Sequence, residues 1–155
     1  MNAHTQFVAS PLALLLALVA QPALAQSTDA PITTMHNARA GTYLVGGNGS
    51  ALYLFAADTR GARDGSGAVS TCVDSCIGLW TAVIVEGKPV AGAGVEAALL
   101  GTLARPDGLR QLTYNGWPMY FYGEDAAPGD IKGNDLESYG ADWYLIAPNG
   151  ERAKD

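Results

Sequence analysis

Asn48-Gly49-Ser50-Ala51-Leu52-Tyr53-Leu54-Phe55-Ala56-Ala57-Asp58 lies without gaps over Asn115-Gly116-Trp117-Pro118-Met119-Tyr120-Phe121-Tyr122-Gly123-Glu124-Asp125, 67 positions further along the chain. The shared pattern is N-G-x-x-[LM]-Y-x-[FY]-x-x-D. Each copy is followed by a loop and an aromatic-led apolar run, Trp80-Thr81-Ala82-Val83-Ile84-Val85 and Trp143-Tyr144-Leu145-Ile146. Self-similarity of this kind marks a duplicated supersecondary unit. Asn-Gly tolerates positive φ at both central turn positions, so each copy is expected to turn through a tight type I′ hairpin. Thr42 to Val45 enters the first turn and Leu112 to Tyr114 the second. Strand alternation then places Tyr53 and Phe55 on one face, and likewise Tyr120 and Tyr122, with Leu52, Leu54, Met119 and Phe121 on the other. Asp58 and Asp125 fall just past the strand ends. A carboxylate there either accepts bonds from loop N–H groups or contributes to a site, and the pattern leaves both roles open.

Working outward, Val95 to Leu100 suggests a short helix stopped by Gly101, and Ser70 to Trp80 a second one capped by Ser70 or Thr71. Pro106-Asp107-Gly108 is a turn signal that pairs a strand near Thr102 to Ala104 with Leu109 to Leu112. The 19 Gly spaced through the chain suit many short strands better than helices, where each Gly costs about 1 kcal/mol. The expected fold is therefore mainly β: two duplicated β-hairpin units packed in one small domain, with one or two short helices. The domain spans residues 42–150, its repeats about 42–87 and 109–150. Residues 26–41 read as a flexible entry segment and 151–155 as a loose tail.

The first 25 residues differ from the rest. Met1 to Ala25 contain no Lys, Arg, Asp or Glu, and Pro11 to Ala20 is an unbroken apolar run. Pro22 breaks it, and Ala23-Leu24-Ala25 supplies the small residues that a signal peptidase reads, although the n-region lacks Lys and Arg. The run is too short for a membrane span. Cleavage after Ala25 and a periplasmic or secreted product without stable membrane insertion are the expectation. The net charge of −6 leaves no basic patch for phosphate backbones, so no nucleic-acid partner is expected. Cys72 and Cys76 are the only cysteines, and in an oxidising compartment they are expected to form a disulfide, static or exchange-active.

The two motif copies resemble the bacterial secreted-repeat family, often described as predicted lipoproteins with a Y-x-[FWY]-x-x-D motif. Tyr53 to Asp58 and Tyr120 to Asp125 carry that motif. Thr71-Cys72 through Cys76 to Trp80, Leu100-Gly101-Thr102, Arg105-Pro106-Asp107-Gly108 and Thr113-Tyr114-Asn115-Gly116 follow in the family's order. The resemblance implies an extracytoplasmic location and says little about mechanism. Three positions depart from it: the lipid-attachment Cys is missing, Trp80-Thr81-Ala82 replaces Trp-Pro-Pro, and Trp117 stands where many members carry His.

Few residues suggest catalysis. After Ala25 the one His is His36, placed in the expected entry segment, so a Ser-His-Asp or Cys-His arrangement has no held base. Met35, His36 and Met119 are soft or borderline ligands, and Asp58, Asp64, Asp74 and Asp125 are scattered carboxylates. None shows metal-site spacing, and no cofactor motif appears. Cys72-x-x-x-Cys76 is neither a thioredoxin-like nor a haem-attachment motif. Trp117 in the second hairpin is the best candidate for recognition, with Tyr53, Asp58, Tyr120 and Asp125 as further binding candidates. The expected function is a non-enzymatic envelope binding or structural module whose partner is an envelope component or small ligand. The alternative is a periplasmic redox or metal-handling protein using Cys72, Cys76 and the acidic loops.

Overall fold

Ten short strands in three sheets carry the chain in a computed structural model that describes residues 30–153. The signal segment assigned to Met1 to Ala25 lies outside those residues. Strands β1 (Thr33–Asn37) and β2 (Gly41–Val45) form a hairpin. Strand β3 (Tyr53–Phe55), helix α1 (Ser75–Leu79) and β4 (Trp80–Ala82) complete the first half. The second half repeats the plan. β5 (Leu100–Ala104) pairs with β6 (Arg110–Tyr114), which turns into β7 (Trp117–Pro118). β8 (Tyr120–Tyr122), β9 (Leu136–Ser138) and β10 (Ala141–Leu145) follow.

The two duplicated units pack in one mainly β domain, and they do so by exchanging strands. The central sheet runs β4-β8-β3-β10-β9. Thus β4 of the first half pairs with β8 of the second, β10 of the second pairs with β3 of the first, and Tyr53 meets Tyr120 at the centre. An approximate twofold relates the halves through that point, and individual hydrogen bonds obey it. Leu44 N–H donates to Ile146 O as Leu112 N–H donates to Val83 O. Ile146 N–H donates to Leu52 O as Val83 N–H donates to Met119 O. Ala56 N–H donates to Asp142 O as Gly123 N–H donates to Leu79 O.

Both faces of this sheet are buried, and the expected alternation sorts them. Tyr53, Phe55, Tyr120 and Tyr122 join Trp80 and Trp143 in one cluster, while Leu52, Leu54, Met119 and Phe121 join a second. In the first cluster four rings stack in series: Tyr122 on Trp80 at 4.2 Å, Trp80 on Trp143 at 3.7 Å, and Trp143 on Phe55 at 4.1 Å. Tyr53 meets Trp80 edge-on at 5.4 Å and Tyr120 meets Trp143 edge-on at 5.1 Å, again a symmetric pair. Gly133 passes so close over Trp80 that a Cβ there would lie 2.6 Å from the ring.

Several local expectations are corrected. The second Asn-Gly turn is type I′, with Asn115 at φ 49° and Gly116 at φ 81°, and Gly116 lies so close to the Gly61 backbone that a Cβ would collide with it. The first is not type I′. There Gly46-Gly47-Asn48-Gly49 makes a four-residue turn closed by Gly49 N–H to Gly46 O, with only Gly49 at positive φ. The extra glycines permit the longer turn, and Asn48 Oδ1 accepts from Ser50 N–H. The described part of the expected entry segment, residues 30–41, is not loose: residues 33–37 form β1, paired across its length with β2. Nor are residues 151–153 a loose tail, because Ala153 is buried and its N–H bonds Leu145 O. The expected helix at Val95 to Leu100 shrinks to a 3₁₀ turn, Ala97–Leu99, because Leu100 pairs with Tyr114 in the sheet. The helix before Trp80 begins only at Ser75. Thr71, expected as its cap, bonds Asp58 instead.

Candidate functional site

Tyr53 and Tyr120 are fully buried at the centre of the exchanged sheet, and each needs a partner for its hydroxyl. Each takes the aspartate of the other repeat. Tyr53 Oη donates to Asp125 Oδ2 at 2.7 Å, and Tyr120 Oη donates to Asp58 Oδ2 at 2.7 Å. The same aspartates hold their loops. Thr71 donates its N–H and hydroxyl to Asp58 Oδ1 at 2.7 and 2.8 Å, and Lys132 N–H donates to Asp125 Oδ1 at 3.0 Å. The two roles that the sequence left open are thus carried by one carboxylate at once, and the motif ties tyrosine strand to loop across the duplication.

The two copies differ in burial. Asp58 is 7% exposed, and Tyr120 Oη also meets Ser70 Oγ at 2.6 Å. Ser70 and Gln111 in turn accept from the Arg105 guanidinium at 3.1 and 2.8 Å. Asp125 is half-buried. Burial pushes both carboxyls above the ordinary carboxylate range, against the hydrogen bonds that pull them down. Burial and the facing carboxylates push the Tyr53 and Tyr120 phenols well above their usual value, so both stay protonated donors.

Cys72 and Cys76 form the expected disulfide, which ties the buried Cys76 of α1 to the buried Cys72 just before the helix. No group of three or more His, Cys, Asp and Glu among the described residues is placed to hold a metal ion. No helix among them is long and apolar enough to cross a membrane.

Trp117, the remaining candidate, is half-buried at the start of β7 and lines a surface groove of about 230 Å³ with Leu54, Ala56, Tyr144, Glu151 and Arg152. Two arginines lie on its aromatic walls. The Arg60 guanidinium sits 5.7 Å from the Trp117 ring centre, and that of Arg152 sits 4.9 Å from the Tyr144 ring centre. Arg60 is held by Asn115 O at 2.9 Å and by Glu151 at 3.0 Å. The Tyr144 hydroxyl donates to Asp142 at 3.0 Å. Of the sequence candidates, Tyr53, Asp58, Tyr120 and Asp125 come together in the interior, and Trp117 stands apart from them in the groove. Sequence reasoning missed Arg60, Glu151 and Arg152. A signal for the last two was present: Pro148-Asn149-Gly150 closes a turn, with Gly150 N–H on Ala147 O, that returns Glu151 and Arg152 to the sheet.

A family model described as a secreted repeat of unknown function matches residues 34–84 and again 101–147. The chain belongs to this secreted-repeat family. The two matched spans begin on β1 and β5, so each secreted repeat contains an entering hairpin, the tyrosine strand and the tryptophan strand that crosses to its twin. The family's description agrees with an exported module. No curated protein and no solved structure shows significant similarity to the chain.

Proposed function

We propose that the protein is a non-enzymatic, extracytoplasmic binding module whose duplicated motif is scaffold and whose ligand site is the Trp117 groove. One observation carries this reading: the groove is built from residues that the two repeats do not share. Trp117 aligns with Ser50, and Tyr144 aligns with Thr81 when Trp143 is laid on Trp80. Residues common to both copies, Tyr53 and Tyr120 with Asp125 and Asp58, spend their polar atoms on each other inside the fold. Tyr53, Tyr120 and Asp58 have no surface left with which to meet a ligand, Asp125 is held by Tyr53 and Lys132, and carboxylates engaged in this way are poorly placed for acid–base work. The partner is a small ligand or an exposed fragment of the envelope, and neither nucleic acid nor a membrane interior is part of the function.

A thermal-shift screen of neutral, cationic and anionic small ligands on the wild type and on Trp117→Ala tests the proposal. Ligands should raise the melting temperature of the wild type in a concentration-dependent way and leave Trp117→Ala unmoved. Shifts that survive Trp117→Ala place the site elsewhere.

A further inference from the structure

Arg152 has no carboxylate within ion-pair distance among the described residues, although it lines an otherwise engaged groove. Glu151 is bound by Arg60 and receives a further bond from Asn115 Nδ2 at 3.4 Å, and Asp142 accepts from the Tyr144 hydroxyl. Arg152 itself is exposed but laid over the Tyr144 ring, which orders the guanidinium plane at the groove wall. The groove floor, Leu54 and Ala56, offers no polar side-chain atom, and Trp117 and Tyr144 offer flat faces.

Resting on the groove as the binding site, we propose that its ligand is a small carboxylate with a flat apolar body, the body lying between Trp117 and Tyr144 and the carboxylate paired with Arg152. A guanidinium fork matches a carboxylate in two parallel N–H···O bonds, and this fork has no protein partner to give up. The charge complementarity is local. In a chain of net charge −6, an arginine without an ion pair at an apolar groove wall favours an anion there. Arg60 does not serve the same purpose, because Glu151 already neutralises it. The groove volume of about 230 Å³ fits a body of one or two fused rings.

Naphthalene-2-carboxylate and its uncharged counterpart naphthalene-2-carboxamide are suitable probes, read by the indole N–H resonance of Trp117 in a ¹H–¹⁵N titration. Trp80 and Trp143 are buried and serve as internal controls. The carboxylate should move the Trp117 resonance and bind at least about tenfold more tightly than the carboxamide, as charge-assisted hydrogen bonds require. Arg152→Gln should reduce the carboxylate to the affinity of the carboxamide and leave the carboxamide unchanged, with Arg152→Lys in between. Equal binding of the two probes, or an Arg152→Gln variant that keeps the preference, overturns the carboxylate assignment while the groove itself stands. If neither probe moves the Trp117 resonance, the assignment also falls, and the thermal-shift screen alone decides the groove.

Discussion

Replacing Tyr120 by Phe should destabilise the domain more than replacing Tyr53 by Phe, although the repeat pattern makes the two positions equivalent. Each change removes one oxygen and leaves the ring packing in place. At Tyr120 the lost hydroxyl serves two partners, Asp58 at 2.7 Å and Ser70 at 2.6 Å, and Asp58 is 7% exposed. Water cannot easily replace the donor there, and a buried charged acceptor left short of a bond costs roughly 2–3 kcal/mol. At Tyr53 the second partner, Gly133 N–H, is long at 3.4 Å and Asp125 is half-buried, so water can take the place of the phenol on the carboxylate and the cost should be about 1 kcal/mol. Urea unfolding followed by tryptophan fluorescence reads both values, and unchanged m-values confirm that only stability has moved. Equal costs, or a larger cost at Tyr53, would refute the burial argument. Two near-zero costs would show that the phenol–carboxylate pairs do not support the fold.

Two further outcomes follow from the same geometry. Because burial raises the folded-state pKa of Asp58 above the unfolded value of 3.8, its stabilising contribution is fully present below that value and is lost as pH rises through the raised one. Asp58→Asn stays uncharged, so its stability relative to wild type should improve between about pH 3 and pH 7; a relative decline over that range would mean that the carboxylate is favoured inside. Replacing Cys72 and Cys76 together by Ser should lower stability by about 2 kcal/mol yet leave a folded domain, as shown by near-UV circular dichroism, and thiol labelling of the untreated native protein should find neither sulfur.

The duplication and the two faces of its strands were legible in the sequence because a period of two needs no partner to be read. Tyr53 and Leu54 go to opposite cores whichever strand lies beside them. Which strand that is was not legible. Trp80 is nearer in sequence to the first hairpin, but its strand bonds β8 of the second, and only the three-dimensional register reveals the exchange. β1 was missed because Thr33-Thr34-Met35-His36-Asn37 lacks an apolar alternation; its backbone pairing with β2 supplies what its side chains do not advertise. Likewise Val95 to Leu100 has helical apolar spacing, yet Glu96 N–H is taken by the Tyr114 hydroxyl at 3.1 Å and Leu100 by the sheet. Trp117 was recognisable as a hairpin tryptophan. The groove around it was not, since it joins residues from four separate segments of the chain.

The exchange of partners between repeats is tested most directly by four double-mutant cycles using Tyr→Phe and Asp→Ala changes. The crossed pairs, Tyr53 with Asp125 and Tyr120 with Asp58, should show coupling energies of roughly 1–3 kcal/mol. The pairs within a repeat, Tyr53 with Asp58 and Tyr120 with Asp125, should be additive to within about 0.5 kcal/mol. Coupling found within the repeats and absent across them would contradict the strand-exchanged fold and make each motif a self-contained unit.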